Sequence, residues 1–554
     1  MNRFKYTLFF PLALLLISCG GNKGKSLTTS NHTIDISDTI QIESLGMAQK
    51  IHAKVTLGDS PKDLYVLLSN YAHTDGSVKI ATSNKKVEKL YKQENVAMRE
   101  QNRIHAPANV EYFRKNISYY LKEKSHSSSA PKYKKIHTDK NNKVHINDKQ
   151  TFFLDTNDAT KTIATLKKSV LVSTDFGVKT LNVWVSDDSF GKGCHKVRCV
   201  TQTMVDALAD AFLKKGKDND VYDWVTNVYG QEWGSHSYTR LISPNNEISI
   251  LLTDIGNDNS TTHGAIGYFY SKDNFKKSEI SGSNEKIMFY LDAVFFANSK
   301  GSWSINGFWA KETVSTLAHE FQHMIHFYQK TLLLAHGEQT DVWINEMLSE
   351  TTEDLVASKI KHSGPRGVPY TIGSAGEKGN TKGRYPLFNY NNRSSLTTWN
   401  SEVVNYSVVN AFGTFLTRNY GGAKILHDIM YNAHVDEDAV VSAIRQTAKG
   451  ADKTFNTLLK EWGVAVLLSD NDHLDESLPH YNTGGYMPNQ YRNSVYQLGS
   501  IDFFNYSPQP RTFGSSGTVE NQGNYYYKVG SKLTGTIDLD LELNGQTEAT
   551  LIAK

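Results

Sequence analysis

Two imidazoles, His319 and His323, stand four residues apart, and a carboxylate, Glu320, follows the first directly. On a helix that spacing turns both rings to one face, about one turn apart. Two imidazoles so placed can hold one zinc ion at about 2.0–2.1 Å each, while the intervening carboxylate reaches a water rather than the metal. Leu317, Phe321, Met324 and Ile325 surround this polar face with apolar packing, and residues 313–329 are predicted as a helix. A catalytic zinc site also needs a third protein ligand and an open position. Two further carboxylates, Glu346 and Glu350, lie downstream, again four apart, on a predicted return helix over residues 342–359. Beyond His323, His326 falls nearly on the same face and reads as a packed or supporting histidine rather than a fourth ligand.

The segment Trp343-Ile344-Asn345-Glu346-Met347-Leu348-Ser349-Glu350 is similar to the Asn-Glu-x-x-Ser-Asp segment of thermolysin-like peptidases and to the Trp-Leu-Asn-Glu segment of the alanyl-aminopeptidase-like group, both gluzincins. That resemblance implies Glu346 as the third ligand of one zinc per chain. It gives Glu350 the part of orienting His319 through its distal ring nitrogen, with Glu where the family carries Asp. The metzincin pattern fails, because positions 326 and 329 are His and Gln where Gly and His are required.

Over roughly residues 180–470 the chain resembles the hyicolysin family of secreted bacterial neutral metallopeptidases. Residues 224–233, 284–292, 316–323, 345–346 and 412–422 carry the likeness. It implies a zinc endopeptidase built from a sheet-bearing half and a helical half, with a cleft between them and Glu320 as general base. Gluzincins place a Tyr or His of the helical half on the developing oxyanion, and Tyr406, opening an apolar helix, resembles the tyrosine of the aminopeptidase-like group. Substrates of this clan lie along a strand edge, for which the run around Phe289 or Phe295-Phe296-Ala297-Asn298 is a candidate. The aminopeptidase signature Gly-x-Met-Glu-Asn is absent, which favours an endopeptidase acting on proteins or peptides. An aminopeptidase and a catalytically silent, zinc-containing surface-binding lipoprotein are the alternatives.

These motifs need a scaffold, and 554 residues exceed what one hydrophobic core organises. Residues 1–19 have a basic head, Arg3 and Lys5, and a short apolar run ending in Leu16-Ile17-Ser18-Cys19, which resembles a bacterial lipobox. The resemblance implies acylation of Cys19, a membrane anchor and an exported location. A flexible tether is expected over 20–45, a small β-rich domain over 46–120 and a basic polar linker over 121–149. The catalytic domain is expected over 150–478 and a C-terminal β-domain over 479–554, making the chain α+β, and a monomer is expected. The region before about 150 could equally be a propeptide. A net charge of +3 gives no reason to expect nucleic acid as partner. Cys194 and Cys199 read as a short-loop disulfide or two free thiols, and Asp254, Asn257 and Asp258 as a polar turn rather than a calcium loop.

Overall fold

A computed structural model describes residues 28–37, 39–83, 106–122, 144–373 and 375–554. The leader with Cys19 and most of the 121–149 linker lie outside them. The chain opens with β1 (Thr29–Ile36), β2 (Gln41–Gly46), β3 (Lys50–Asn70) and β4 (Gly76–Thr82), followed by two short helices, α1 (Ala108–Lys115) and α2 (Ile117–Leu121). Strands β1 and β2 lie where a flexible tether was expected. Ile34 and Ile36 alternate with polar neighbours, and β1 runs parallel to β3 from Thr29↔Lys50 to Ile36↔Leu57. Few apolar residues suffice when the partner strand is already ordered.

The sheet-bearing half contains β5 (Lys149–Phe153), β6 (Lys161–Thr174), β7 (Gly177–Ser186), α3 (Gln202–Phe212), α4 (Val221–Tyr229), β8 (Glu247–Thr253), β9 (Gly267–Phe269) and β10 (Ile287–Asp292). The strand order is β5-β6-β7-β8-β10-β9. Strands β7, β8 and β10 are parallel, with α3 and α4 in the crossover that parallel pairing of β7 and β8 requires. Every residue of β10 is buried, as expected for a central parallel strand covered on both faces. Strand β9 pairs antiparallel to β10 and forms the edge. The edge expected at Phe289 or 295–298 is therefore elsewhere: Phe289 sits between β8 and β9, and Ala293–Phe296 is helix α5. Three residues carry no readable periodicity, so β9 was invisible in the sequence. Only glycine suits position 267, where a Cβ would come 2.9 Å from the Tyr290 carbonyl oxygen.

Helix α6 (Phe308–His326) lies against this sheet and passes into a π-helix over Phe327–Leu334. Phe321 points away from the histidine face, and its ring meets those of Phe289, Phe212 and Tyr222 at 5.2–5.8 Å. The helical half follows as α7 (Val342–Ile360), α8 (Tyr385–Tyr390), α9 (Val403–Asn419), α10 (Ala423–Met430), α11 (Glu437–Ile444) and α12 (Phe455–Leu468). Gly413 lets α9 approach α7 closely, since a Cβ there would fall 2.0 Å from Thr351 Oγ1 and 2.9 Å from Met347 Cγ. No helix among the described residues is long and apolar enough to cross a membrane.

After the hairpin β11 (Tyr486–Tyr491) and β12 (Ser494–Gly499) come β13 (Ser516–Val519), β14 (Asn524–Leu543) and β15 (Thr547–Ala553). These last three do not build a C-terminal domain of their own. They join the opening strands in one seven-stranded sheet, β13-β4-β14-β3-β15-β2 with β1 on β3. The two flanking β-domains of the sequence reading are thus a single sheet. Long strands β3 and β14 pair from Asn524↔Ser69 to Glu542↔Lys50, a contact across more than 450 residues. Alternation predicts that each is a strand but not which strand it meets. The sheet docks on α12, where Asn524 Nδ2 donates to the Leu459 carbonyl at 3.0 Å and Lys554 Nζ to that of Leu467 at 2.7 Å.

Candidate metal centre and cleft

Helices α6 and α7 run antiparallel. At one end of their contact Ser315 Oγ donates to Glu353 Oε2 at 2.6 Å, and at the other His323 Nδ1 meets Asn345 Oδ1 at 3.0 Å. This register brings Glu346 over the two histidines. His319 Nε2 and His323 Nε2 are 3.1 Å apart, and Glu346 Oε2 stands 3.3 Å from each. Donors about 2.0–2.1 Å from one ion in a tetrahedral site are separated by roughly 3.3–3.4 Å, so this triangle has the size of one face of a zinc site. All three side chains are almost fully buried, and beyond the two imidazoles at 3.3 Å Glu346 Oε2 has no donor to satisfy it. A buried carboxylate oxygen left in that state is costly unless a cation completes it. The residues present therefore fit a zinc ion.

Glu320 faces the same space. Its Oε2 accepts the Phe269 amide of the edge strand at 2.9 Å, while Oε1 is buried without a partner. Burial pushes its pKa up to about 7, against the pull of His319 and Arg114. Burial would likewise raise Glu346, but His323, His319 and Arg114 hold it well below the usual range. The two imidazoles diverge. Burial and then Arg114 lower His323 to about 3, whereas Glu346 and Glu353 overcome burial and raise His319 well above 6.5.

The partners of the distal ring nitrogens correct one sequence assignment. Glu353 Oε1, not a Glu350 oxygen, lies 2.9 Å from His319 Nδ1. Glu350 lies nearby, within 4.8 Å of that histidine, and pairs with Arg384 at 2.8 and 3.0 Å. Residues 346, 350 and 353 share one face of α7, and the antiparallel crossing puts the more distant carboxylate beside His319. The substitutions should separate these parts. Glu353→Gln is expected to weaken zinc binding by ~10- to 100-fold. Glu350→Gln is expected to lower stability by about 3 kcal/mol, because it withdraws a fully buried carboxylate from a largely buried arginine. Zinc affinity by chelator competition and denaturant unfolding measure the two, and the reverse pattern would return the orienting part to Glu350.

Tyr406 sits near the start of α9, 2% exposed, and its hydroxyl donates to Glu111 Oε1 at 3.1 Å. Burial, followed by Glu346 and Glu111, pushes that hydroxyl well above 10, so it keeps its proton. Arg114, on α1, reaches into the metal triangle: Nη1 donates to Glu346 Oε1 at 2.7 Å and lies 3.1 Å from His323 Nε2. Nothing in the sequence marks Arg114 or Glu111, which come from a segment far outside the motifs. His326 is buried and lines a small cavity beside Arg114, outside the triangle. Cys194 and Cys199 form a disulfide. At the turn considered for calcium, Lys196 Nζ already occupies the oxygens, 2.7 Å from both Asp254 Oδ2 and Asn257 Oδ1.

The family described as Peptidase M30 matches residues 158–536, more than half of the chain, including the metal triangle, Glu320, Glu353 and Tyr406 but not Glu111 or Arg114. The chain belongs to the M30 peptidase family. The match runs beyond residue 478 into β14, so the M30 unit includes strands of the seven-stranded sheet. The M30 chain is 25% identical over 307 residues to the neutral metalloprotease ShpI of Staphylococcus hyicus, covering 54% of this chain and 58% of that protein. It thus spans a little over half the length of that relative. Among solved structures, an aminopeptidase N family protein from Idiomarina loihiensis overlaps 69% of each chain at 11% identity and a TM-score of 0.30, too loose a superposition to fix shared geometry.

Proposed function

We propose that this M30 peptidase is a zinc-dependent endopeptidase of extracytoplasmic proteins, with His319, His323 and Glu346 as ligands and Glu320 as general base. The observation that carries the reading is the buried triangle with edges of 3.1, 3.3 and 3.3 Å. When bound, zinc supplies Lewis acidity, polarising a peptide carbonyl and making water nucleophilic near neutral pH. Strand β9 is the edge of its sheet, and once Arg114 is gone the Phe269 carbonyl would take a substrate backbone as an added strand, while the Phe269 amide stays with Glu320. Glu320, fixed by the Phe269 amide of that same strand, takes the proton of the attacking water and hands it to the leaving amine. Tyr406 donates its hydroxyl to the developing oxyanion. Glu353 and Asn345 hold the two imidazoles by their distal nitrogens, so that each Nε2 faces the triangle.

The lipobox-like run ending at Cys19 supports an acylated, membrane-anchored and exported protein. The test uses protein isolated from its cells, whose mass reports removal of residues 1–18 and acylation at Cys19. Metal content is expected to be one zinc per chain. Wild-type or Arg114→Ala protein is expected to cleave an unstructured protein and a peptide with an acetylated amino terminus, and a chelator to stop both. Zinc bound without turnover in either protein would instead indicate a silent binding lipoprotein, and cleavage of free amino termini alone an aminopeptidase.

A further inference from the structure

The cleft between the sheet-bearing and helical halves is already filled, by α1 and α2. On the sheet side, Phe113 packs edge-on against Tyr270 and Phe275, with ring centroids 5.4 and 5.8 Å away. Arg240 holds the carbonyls of Tyr120 and Lys122, and Asn109 Nδ2 donates to Asp155 at 3.0 Å. On the helical side, Lys115 Nζ donates to Ser401 Oγ at 2.9 Å, and Glu111 takes the Tyr406 hydroxyl. The space left beside Arg114 is a cavity of about 30 Å³, room for little more than one water.

We propose that residues 106–122 are an autoinhibitory plug, in which Arg114 occupies the groups that metal and substrate need. The proposal rests on the zinc-peptidase reading above and adds its regulation. One guanidinium meets four elements of that machinery. Nη1 is 2.7 Å from Glu346 Oε1 and 3.1 Å from His323 Nε2, and Nη2 is 3.6 Å from Glu320 Oε2 and 3.5 Å from the Phe269 carbonyl. The last of these is a backbone acceptor on the edge strand that a substrate would use. A His323 Nε2 that accepts an N–H cannot give the same lone pair to a metal, so the contact is competitive with metal binding. An arginine acting as a catalytic electrophile would have to leave the ligand atoms free, and Arg114 takes His323 Nε2 in addition to Glu346 Oε1. Glu111 meanwhile occupies the other electrophile by accepting the hydrogen bond that Tyr406 would direct at an oxyanion.

The geometry favours one cation at a time. With Arg114 Nη1 3.1 Å from His323 Nε2, an ion bound to that nitrogen would stand directly against the guanidinium, and two cations in contact repel. Metal loading and departure of the plug are therefore coupled, each favouring the other by the same factor. The chain is latent while α1 is seated and becomes active when it leaves.

The test uses the full chain, stripped of metal and titrated with zinc alone in competition with a chelator, and then assayed on the acetylated peptide. Arg114→Ala removes the competing cation. Phe113→Asp unseats the plug while leaving Arg114 and every group of the triangle in place. A plug seated about 90% of the time weakens apparent affinity roughly tenfold, so both variants are expected to bind zinc at least ~10-fold more tightly than wild type and to turn over at least ~10-fold faster. A synthetic peptide of residues 106–122 should inhibit the Arg114→Ala protein, and the same peptide with Arg114→Ala should not. Equal zinc affinity and equal turnover in all three proteins would overturn the plug and leave the peptidase reading standing. Turnover lost in Arg114→Ala with zinc still bound would overturn it too, making Arg114 a catalytic group. If no protein bound zinc or cleaved anything while circular dichroism showed all of them folded, the peptidase reading itself would fall.

Discussion

Glu320→Gln is expected to keep its zinc and lose at least ~10²-fold in kcat, the lower bound for removal of a positioned general base. The geometry explains why the two effects should separate. The metal triangle is complete without Glu320, whose Oε2 is instead tied to the Phe269 amide at 2.9 Å. Glutamine preserves the volume and can still accept that amide through its carbonyl, so the edge strand should keep its place. What it lacks is a basic oxygen. The measurement belongs in whichever background, wild type or Arg114→Ala, turns over faster, since a seated plug would mask the loss. Zinc content is read on the same samples. Loss of zinc would make Glu320 a ligand, an arrangement its proximity to both imidazoles permits, and unchanged kcat would remove it from the chemistry.

The second large effect is expected at Glu346. Glu346→Gln should weaken zinc binding by more than ~10²-fold, exceeding the effect of a supporting group such as Glu353. It replaces an anionic oxygen equidistant from two imidazoles with a neutral amide, and a neutral oxygen is a poorer ligand in a buried site. Unfolding reports this without any substrate. At a zinc concentration of about 100 times the wild-type Kd, wild type gains roughly 2.7 kcal/mol of stability, whereas a variant with 100-fold weaker binding gains about 0.4 kcal/mol. Equal zinc-induced stabilisation of the two proteins would exclude Glu346 from the ligand set. The same substitution also removes the anion that Arg114 grips at 2.7 Å. Metal-free Glu346→Gln protein should therefore be compared with metal-free wild type before zinc is added.

Several features were legible in the sequence because they are local. A spacing of four on a helix fixes the relative direction of His319 and His323 whatever surrounds them. The apolar residues around that face announced the helix, and the family resemblance pointed onward to Glu346. The second carboxylate was harder. Glu350 and Glu353 both lie on the face of Glu346, and only the crossing of α6 over α7 decides which one meets His319. Similarly, β3 and β14 could each be read as strands from alternation, yet their union across the length of the chain could not be, since pairing depends on partners and not on pattern.

By itself, then, the sequence determined the chemistry available: two imidazoles on one helical face, a carboxylate between them, and more carboxylates on the return helix. Those follow from helical periodicity, which acts within a few residues. The tertiary structure alone decided that the edge strand is Gly267–Phe269, that the first and last strands share a sheet, and that Arg114 lies against Glu346. Each of these is a meeting of segments far apart in the chain, set by which surfaces bury best against each other, and no local spacing encodes it.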